Sequence, residues 1–245
     1  GRAPFDPKPM TKHKQFAAAV AAGLLGLLAL NDVPAQCPHP AVLTYHETTY
    51  ALVNVGMQCW FAENLSTTKF ADGRGLLVVD AVQWAELSSN NLPQTGVVTR
   101  KGRPVGEGRI YNAAAILDSA GLCPVGWHVP SDGDWNRLEM ALGLSAAEVE
   151  KTGFRGGHAD QLRMGSPRYE EWNGLNALGF SALPGGFRGA DGGDWNWGDS
   201  GFWWSSTPWH GGGALWMRSI SNWGTGVYRS TNPHGNGLSV RCLKD

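Results

Sequence analysis

Carboxylates are the first side chains of this 245-residue chain that could carry acid–base chemistry. Glu170 and Glu171 are adjacent, and Asp191, Asp194 and Asp199 follow within one short stretch. Hydrolysis of a glycosidic bond needs two carboxyl groups that face each other across a cleft, and spacing in the sequence does not establish this. We therefore interpret these carboxylates as solvated surface groups.

The histidines offer little more for catalysis. His128 lies in GWHVP between apolar neighbours, where we expect a histidine that is held by the fold rather than a general base. His210 and His234 lie in glycine-rich segments, and neither has a carboxylate or a nucleophile at a recognisable spacing. The residues therefore predict a protein that is not an enzyme.

One stretch could bind a metal ion. DGGDWNWGD (191–199) has oxygen ligands at alternate positions, loosely as calcium loops do, but it lacks the EF-hand spacing. The chain also lacks the EPN and QPD triplets of lectins that bind sugar through calcium, and WNG (172–174) differs from their WND. We predict no cofactor, and a structural calcium ion is the only metal that we consider for this stretch.

Tryptophan is the unusual residue of the chain. Eight of the twelve tryptophans lie after residue 171, among many Gly, Ser and Asn residues. Tryptophan is usually well buried, so core packing is the first expectation. Trp195, Trp197, Trp209 and Trp223, however, have polar residues and glycine rather than aliphatic residues as neighbours. We expect such rings at the surface, where aromatic side chains and small polar residues together form recognition sites.

Strands at the two ends of the mature chain and helices in its middle would position these residues. Residues 42–60 predict one or two strands, and residues 64–108 contain many turn formers and predict loop with short ordered pieces. The final segment, GLSVRCLKD (237–245), alternates as a half-buried strand does. We expect an α+β domain whose first and last strands pair.

Helices are predicted between these strands. A short helix is expected over residues 111–119 and ends before Gly121. The clearest helix starts at Ser131 and Asp134, which resemble a capping box. A second, short helix is expected to start at Ser145 with Glu148.

The N-terminal segment predicts export. Residues 10–35 combine a basic start, an apolar run of 15 residues and a small-residue exit before Gln36, as secretory signals do. We interpret residues 1–9 as an extension upstream of Met10, and a buried core helix is the alternative for the apolar run. The run is too short for a membrane span, so we expect none in the mature chain.

The charge of the chain does not favour a nucleic-acid partner. Its net charge of −1 does not indicate the basic surface that binding to nucleic acid requires.

Four cysteines, Cys37, Cys59, Cys123 and Cys242, form an even set, which in an exported chain favours disulfides. Three pairings are open on this evidence. The set contains no CxxC motif, and its spacing resembles no zinc site.

Six phrases in order give the chain a family resemblance. They are QCWFAENLSTTKFADG (58–73), GRIYNAAA (108–115), CPVGWHVPSDGDWNRL (123–138), GFSALPGGFRG (179–189), GFWWSST (201–207) and GLSVRCLKD (237–245). Together they resemble the Fibrobacter succinogenes major paralogous domain family from about Val53 to the C-terminus. Residues 111–142 also resemble formylglycine-generating-enzyme-like domains. The resemblance implies a C-type-lectin-like fold for residues 36–245, with two main helices and long irregular loops.

The resemblance also implies a disulfide pairing and a binding face. It pairs Cys123 with Cys242 and leaves Cys37 with Cys59 for a second bridge. Related proteins include variable proteins of diversity-generating retroelements, in which scattered residues near the C-terminus vary on a fixed frame. The positions expected here to contact a ligand are Asp194, Asn196, Trp197, Trp209, His210, Trp216, Ser219, Ser221, Asn222, Trp223, Thr225, Tyr228, Ser230 and Asn232.

We therefore expect a secreted, periplasmic or cell-surface protein that binds an unknown protein or carbohydrate through its C-terminal loops. A carbohydrate- or cell-wall-binding surface protein is the first alternative, because the same rings could stack on sugars. An enzyme of the formylglycine-generating type is the second.

Overall fold

A computed structural model describes residue 1 and residues 36–100, 103–104, 108–166, 168–169 and 171–245. The chain divides into a unit of residues 1–33 and a unit of residues 34–245, and the following description concerns the second unit. The predicted signal segment, residues 10–35, and the predicted surface carboxylate Glu170 lie outside the described residues.

The described part is an α+β domain, as predicted. The strands are β1 (Val42–Tyr45), β2 (Thr48–Val55), β3 (Gln58–Phe61), β4 (Leu77–Val78), β5 (Gln94–Gly96), β6 (Thr99–Arg100), β7 (Arg103–Pro104), β8 (Ile110–Tyr111), β9 (Trp127–His128), β10 (Gly153–Arg155), β11 (Phe187–Arg188), β12 (Asp194–Trp195), β13 (Ser200–Pro208), β14 (Ala214–Ser221), β15 (Val227–Pro233) and β16 (Leu243–Lys244). The α-helices are α1 (Ala81–Leu87), α2 (Ala113–Leu117), α3 (Asp132–Ala141) and α4 (Ala146–Val149), and one 3-10 turn covers Ala159–Gln161.

The first and last strands of the described domain meet in one sheet. Its five strands are ordered β1-β2-β3-β16-β9, and Leu243 of β16 lies opposite Trp60 of β3 in antiparallel register. The predicted pairing of the two ends is therefore confirmed. A second sheet, ordered β10-β15-β14-β13, is antiparallel throughout and carries most of the tryptophan-rich segment.

The final segment is a regular strand for less of its length than its alternation predicts. Only Leu243–Lys244 forms a strand, although Leu238 and Ser239 make isolated bridges to other segments. The segment is also not half-buried as its alternation predicts, since Arg241 is 1% exposed instead of facing solvent. Its guanidinium donates to the carbonyl oxygens of Ala62 (2.6 Å) and Ser181 (3.0 Å), so both faces of this segment are buried.

Capping residues fix two of the helices as predicted. Ser131 caps α3 in a capping box with Asp134, and Ser145 caps α4 in one with Glu148. The predicted helix over 111–119 is present as the shorter α2, because the side chain of Asn112 accepts from the N–H of Ala115 and starts the helix there.

Helix α1 lies where the sequence predicted loop. Asp80 and Gln83 form its capping box, and its Trp84 is fully buried. A segment of only seven residues has too few apolar positions to show a helical period, and here one buried ring holds it in place.

Two disulfides join distant parts of the domain. Cys123 is bonded to Cys242 and Cys37 to Cys59, which are the pairings that the family resemblance implied.

Trp203 and Trp204, which are 1% and 0% exposed, lie on opposite faces of β13 and belong to the two largest buried clusters. Among the described residues, no helix has the length and apolarity that crossing a membrane requires.

Candidate ligand-binding site

One row of residues crosses the second sheet, from the buried Phe202 and Ser219 to the half-buried Tyr228 and the exposed Phe154. In antiparallel register Phe202 lies opposite Ser219, Ser219 opposite Tyr228, and Tyr228 opposite Phe154. Residues directly opposite each other on paired strands share a face of the sheet, so these four side chains form one row across it. We call this side of the sheet the outer face.

The other side of the sheet is fixed to α3 by buried arginines. Arg218, which is fully buried, donates to Asp132 Oδ1 (2.6 Å), Glu139 Oε1 (2.6 Å) and Asn136 Oδ1 (2.7 Å). Arg229 donates through two nitrogens to Asp132, and its Nη1 donates to the carbonyl oxygen of Glu150. The sheet is therefore attached to the helix through charge-assisted hydrogen bonds, and its position is set independently of the outer face.

Burial and ion pairing act in opposite directions on these charges. Desolvation alone would raise the pKa of Asp132, but hydrogen bonds from Arg229 and the charge of Arg218 outweigh it and lower that pKa. Burial lowers the pKa of Arg155, whose guanidinium contacts Glu139 and donates to the Lys151 carbonyl oxygen at 2.9 Å. This network supports the face without lining it.

Three aromatic rings cluster at one end of the outer face. The Phe154 ring lies 5.2 Å from that of Trp223 and 4.8 Å from that of Tyr228, measured between ring centroids. Trp223 is 70% exposed and Phe154 is 45% exposed. Large rings that contact one another and yet keep this much exposure form an apolar patch of the kind that binds a partner.

A cavity of about 270 Å³ opens beside this cluster. Most of its accessible lining is apolar, and the hydroxyl groups of Ser200 and Ser221 in its wall are hydrogen-bonded to each other at 2.8 Å. The cavity is lined by Phe154, Asn196, Ser200, Phe202, Ser219, Ser221, Trp223 and Tyr228.

A second cavity of about 380 Å³ lies farther along β15 and also includes Tyr228. Trp216 lines it and stacks on the guanidinium of Arg229, with 3.8 Å from the carbon of that group to the ring centroid. Trp209 lies over its own hairpin loop, where a Cβ at Gly211 would be 2.1 Å from two ring carbons, so only glycine allows this approach. The cavity is lined by Thr152, Gly153, Trp209, Trp216, Tyr228, Ser230 and Thr231.

A third cavity, of about 430 Å³, has a charged lining. Trp197 and Asn222 contribute to it, together with Arg168, Tyr169, Glu171, Gly198 and Asp199. The amide nitrogen of Asn222 lies 3.5 Å from a carboxylate oxygen of Glu171 and 3.5 Å from one of Asp199. These carboxylates are on the surface, and the cavity is chemically distinct from the first two.

Most of the predicted contact residues are accessible, although not all lie in one place. The exposed or half-buried ones are Asp194, Asn196, Trp197, Trp209, His210, Trp216, Asn222, Trp223, Thr225, Tyr228 and Ser230. Ser219 and Ser221 are buried as whole residues, but they form part of the first cavity's wall. His210 lies beside Trp209 with ring centroids 5.4 Å apart, outside the described cavity linings.

Two predicted contact residues are hydrogen-bonded within the fold. Asp194 accepts from Nε and Nη2 of the buried Arg188 at 2.8 Å each, and from the backbone N–H and the hydroxyl of Thr99. Asn232 is 8% exposed, and its side-chain oxygen accepts from Asn236 at 2.5 Å. Both side chains are already bonded within the fold, and their contact with a ligand stays a prediction.

The same ion pair bears on the calcium interpretation of residues 191–199. Asp194 is bonded to Arg188, and Asp191 accepts from the backbone N–H of Gly193 at 3.0 Å. Among the described residues, no three His, Cys, Asp or Glu side chains converge as ligands of a metal ion would.

His128 is held by carboxylates on both sides. Its Nδ1 lies 2.6 Å from Asp245 Oδ1, and its Nε2 lies 3.3 Å from Asp134 Oδ2. The hydrogen bond with Asp134 raises the pKa of His128, against the effect of its partial burial. Desolvation would raise the pKa of Asp134, but hydrogen bonds from His128 and Ser131 lower it to about 2. These contacts connect α3 to the C-terminal residue.

Sequence reasoning missed several residues of the first and second cavities. Phe154 precedes the tryptophan-rich segment by about fifty positions, and Thr152 and Gly153 lie beside it. Their only local signal is GFR after a short capped helix, which does not reveal that β10 pairs with β15. Phe202 belongs to the family phrase GFWWSST and was not among the predicted contacts; its ring lies 4.9 Å from that of Phe187, measured between centroids, and it also lines the first cavity.

Comparison with known proteins identifies a family over most of the chain. Residues 53–244 match the family model described as the Fibrobacter succinogenes major domain. No curated protein and no solved structure matches the chain.

Proposed function

The chain belongs to the Fibrobacter succinogenes major domain family, and from its outer face we propose that it is an exported ligand-binding protein. The observation that carries this proposal is the cluster of Phe154, Trp223 and Tyr228, whose rings contact one another while Trp223 stays 70% exposed. Exposed aromatic rings surrounded by small polar residues give a large contact area at low cost in side-chain entropy.

Rigidity supports a binding role for this face. Arg218 and Arg229 hold the strands beneath this face against α3. The Cys123–Cys242 bridge links the segment before α3 to the residue before β16. A pre-organised face loses less conformational entropy when a ligand binds.

We further propose that residues 36–245 form one C-type-lectin-like domain. Support comes from the pairing of β3 with β16 near the two ends of the domain and from the long irregular connections between the helices and β13. Export is supported by the two disulfides, which persist in oxidising compartments. The signal segment at residues 10–35 remains a prediction.

We also propose that a diversity-generating retroelement varies the predicted contact positions of this protein. Its support is the division between buried frame residues, such as Trp203 and Arg218, and accessible predicted variable positions, such as Asn196 and Thr225. The test is the surrounding DNA, where a near-copy of the 3′ coding end that differs at adenines should lie beside a reverse transcriptase gene. Without such a copy, the protein is an ordinary paralogous binding protein.

A binding function is also better supported than a formylglycine-generating activity. That activity uses a reactive cysteine pair late in the chain, and here Cys242 is bonded to Cys123. All four cysteines of the chain are in disulfides, so such a pair has no free thiol.

Substitution of exposed tryptophans tests the proposed face. The Trp209→Ala/Trp223→Ala double variant should bind no member of an immobilised panel of neutral polysaccharides, charged polysaccharides and folded proteins that captures the unchanged protein. Its melting temperature should fall by no more than about 3 °C, because both rings keep a solvent-accessible side.

Trp195→Ala is the matched control, because Trp195 is 53% exposed but lines neither the first nor the second cavity. It should leave capture unchanged. Equal capture by the double variant and the unchanged protein would refute the proposed face, and a melting-temperature loss above about 10 °C would mean that these rings are core residues instead.

A further inference from the structure

We infer that the first cavity holds one uncharged aromatic side chain of a protein partner. This is the cavity of about 270 Å³ beside the cluster of Phe154, Trp223 and Tyr228. The inference rests on the proposed binding function and specifies the class of partner that this one cavity accepts.

The strand residues that line the first cavity share one side of the second sheet. The row that runs across the sheet from Phe202 to Phe154 forms one part of the lining. Ser200 and Ser221 lie opposite each other, two positions along β13 and β14 from that row, and side chains two positions apart on a strand point to the same side. Trp223 adds its ring from the hairpin between β14 and β15. One side chain can therefore contact all these groups together.

Aromatic rings make up half of the lining. Four of its eight residues are Phe154, Phe202, Trp223 and Tyr228. The plane of the Phe154 ring is inclined by 73° to that of Trp223 and by 53° to that of Tyr228. Aromatic rings prefer such tilted and edge-to-face contacts, because the positive edge of one ring meets the negative face of another. A further ring can join this cluster in the same way, whereas an aliphatic side chain gains only the burial of its apolar area.

The polar part of the lining favours an uncharged occupant. None of the described residues that line the first cavity is Asp, Glu, Lys, Arg or His. A charged side chain would lose hydration here without gaining a counter-ion. The hydroxyl groups of Ser200 and Ser221 are hydrogen-bonded to each other, so neither is left unpaired when an apolar group displaces water.

The size of the cavity fits one ring. An apolar cavity of about 150 Å³ is large enough for a benzene molecule. A cavity of about 270 Å³ therefore has room for one aromatic side chain, and it is smaller than the sites of about 300–1,000 Å³ that enclose separate small ligands. A sugar ring carries hydroxyl groups around its rim, and most of them would face this largely apolar lining without partners.

The surroundings of the cavity fit the chain that would carry such a side chain. Trp223 is 70% exposed, so much of its ring remains for a partner to cover beside the cavity. Asn196 is exposed at the rim, where its amide can hydrogen-bond to a partner's backbone. Protein interfaces combine an aromatic anchor in a pocket with surrounding contacts that exclude water.

NMR titration of the isotope-labelled protein with synthetic peptides tests the inference. The probes are end-blocked peptides Gly-Ser-X-Ser-Gly, in which X is Trp, Phe, Leu, Lys, Glu or Ser, and a neutral glucose hexasaccharide as the comparison without a peptide. We expect the Trp and Phe peptides to bind at millimolar concentration and to shift the indole N–H signal of Trp223. The Leu peptide should bind about two- to tenfold more weakly, and the Lys, Glu and Ser peptides should cause no saturable shift.

Variants connect this binding to the first cavity. Trp223→Ala and Phe154→Ala should each weaken binding of the Trp peptide at least about fivefold, because each removes a ring that the anchor contacts. Ser219→Leu fills the cavity from a wall residue that is 3% exposed and leaves Trp223 in place, so it should abolish binding. Trp195→Ala is the control and should leave the affinity unchanged. Thermal unfolding shows that each variant is folded.

Three results would overturn the inference. They are the absence of binding by both aromatic peptides at millimolar concentration, equal binding of the Ser, Lys or Glu peptide, and an affinity for the Trp peptide that is unchanged in both Trp223→Ala and Phe154→Ala. Binding of the hexasaccharide that is lost in Trp223→Ala, without binding of the aromatic peptides, would overturn the class of partner and leave the proposed binding function in place.

Discussion

Replacing Asp132 with asparagine should destabilise the domain strongly although the side chain keeps its size. The carboxylate accepts from Arg218 Nη1 at 2.6 Å, from Arg229 Nη2 at 2.6 Å and from Arg229 Nε at 3.1 Å. An amide would keep one acceptor oxygen but place an NH₂ group where a second acceptor is needed. Two buried guanidinium groups would then share fewer negative charges.

The magnitude follows from burial. Removing one partner of a buried ion pair costs about 3–5 kcal/mol, because the remaining charge stays desolvated. Asparagine retains one oxygen and Glu139 still pairs with Arg218, so we expect about 3 kcal/mol for Asp132→Asn. For a domain of this size, that corresponds to a fall of about 6–12 °C in melting temperature.

Thermal and denaturant unfolding at pH 7 measure this loss, and Asp72→Asn is the control. Asp72 pairs with Arg74 on the surface, with side chains 47% and 55% exposed, so its replacement should change the melting temperature little. An equal effect of the two substitutions would refute the argument that the buried arginine network holds the sheet on α3.

The pH dependence gives an independent check. The pKa of Asp132 is lowered in the fold, so its contribution is present above the unfolded pKa and is lost as the pH falls through the folded value. The stability difference between the unchanged protein and Asp132→Asn should therefore be constant near neutral pH and shrink only below about pH 4. A difference that shrinks already between pH 7 and 5 would contradict this assignment.

Two further predictions concern His128 and the disulfides. Because the pKa of His128 is raised in the fold, its stabilising effect is full below about pH 6.5 and is lost as the pH rises through the folded pKa. The melting temperature of His128→Gln should therefore fall further below that of the unchanged protein at pH 5.5 than at pH 9. A larger difference at pH 9 would contradict this assignment. The bridge Cys123–Cys242 spans 119 residues and Cys37–Cys59 spans 22, so chain entropy predicts losses of about 5 and about 3 kcal/mol when each pair is replaced by alanine. Chemical denaturation of the two double variants measures both, and an equal or reversed order would show that native-state contacts outweigh loop closure.

Local chemistry decided how much of the fold the sequence could predict. The starts of α3 and α4 were predictable because a capping box is made by residues three positions apart, such as Ser131 and Asp134. Helix α1 also has a capping box, Asp80 with Gln83, but it was not predicted, because only seven residues follow and the burial of Trp84 among residues distant in the chain holds them in place. The alternation of residues 237–245 indicated burial correctly for Leu238 and Val240, but it placed Arg241 outside.

The candidate site shows the same division. The composition after residue 171 determined that aromatic rings and small polar residues would be concentrated there, and the neighbours of Trp223 indicated its exposure. Only tertiary structure brought Phe154 beside Trp223, since strand pairing between β10 and β15 joins segments about seventy residues apart. Only tertiary structure paired Asp194 with Arg188, because that buried cation needs a carboxylate. The sequence therefore determined which residue types and short-range caps are available, whereas long-range pairing and desolvation decided which side chains remain free to contact a ligand.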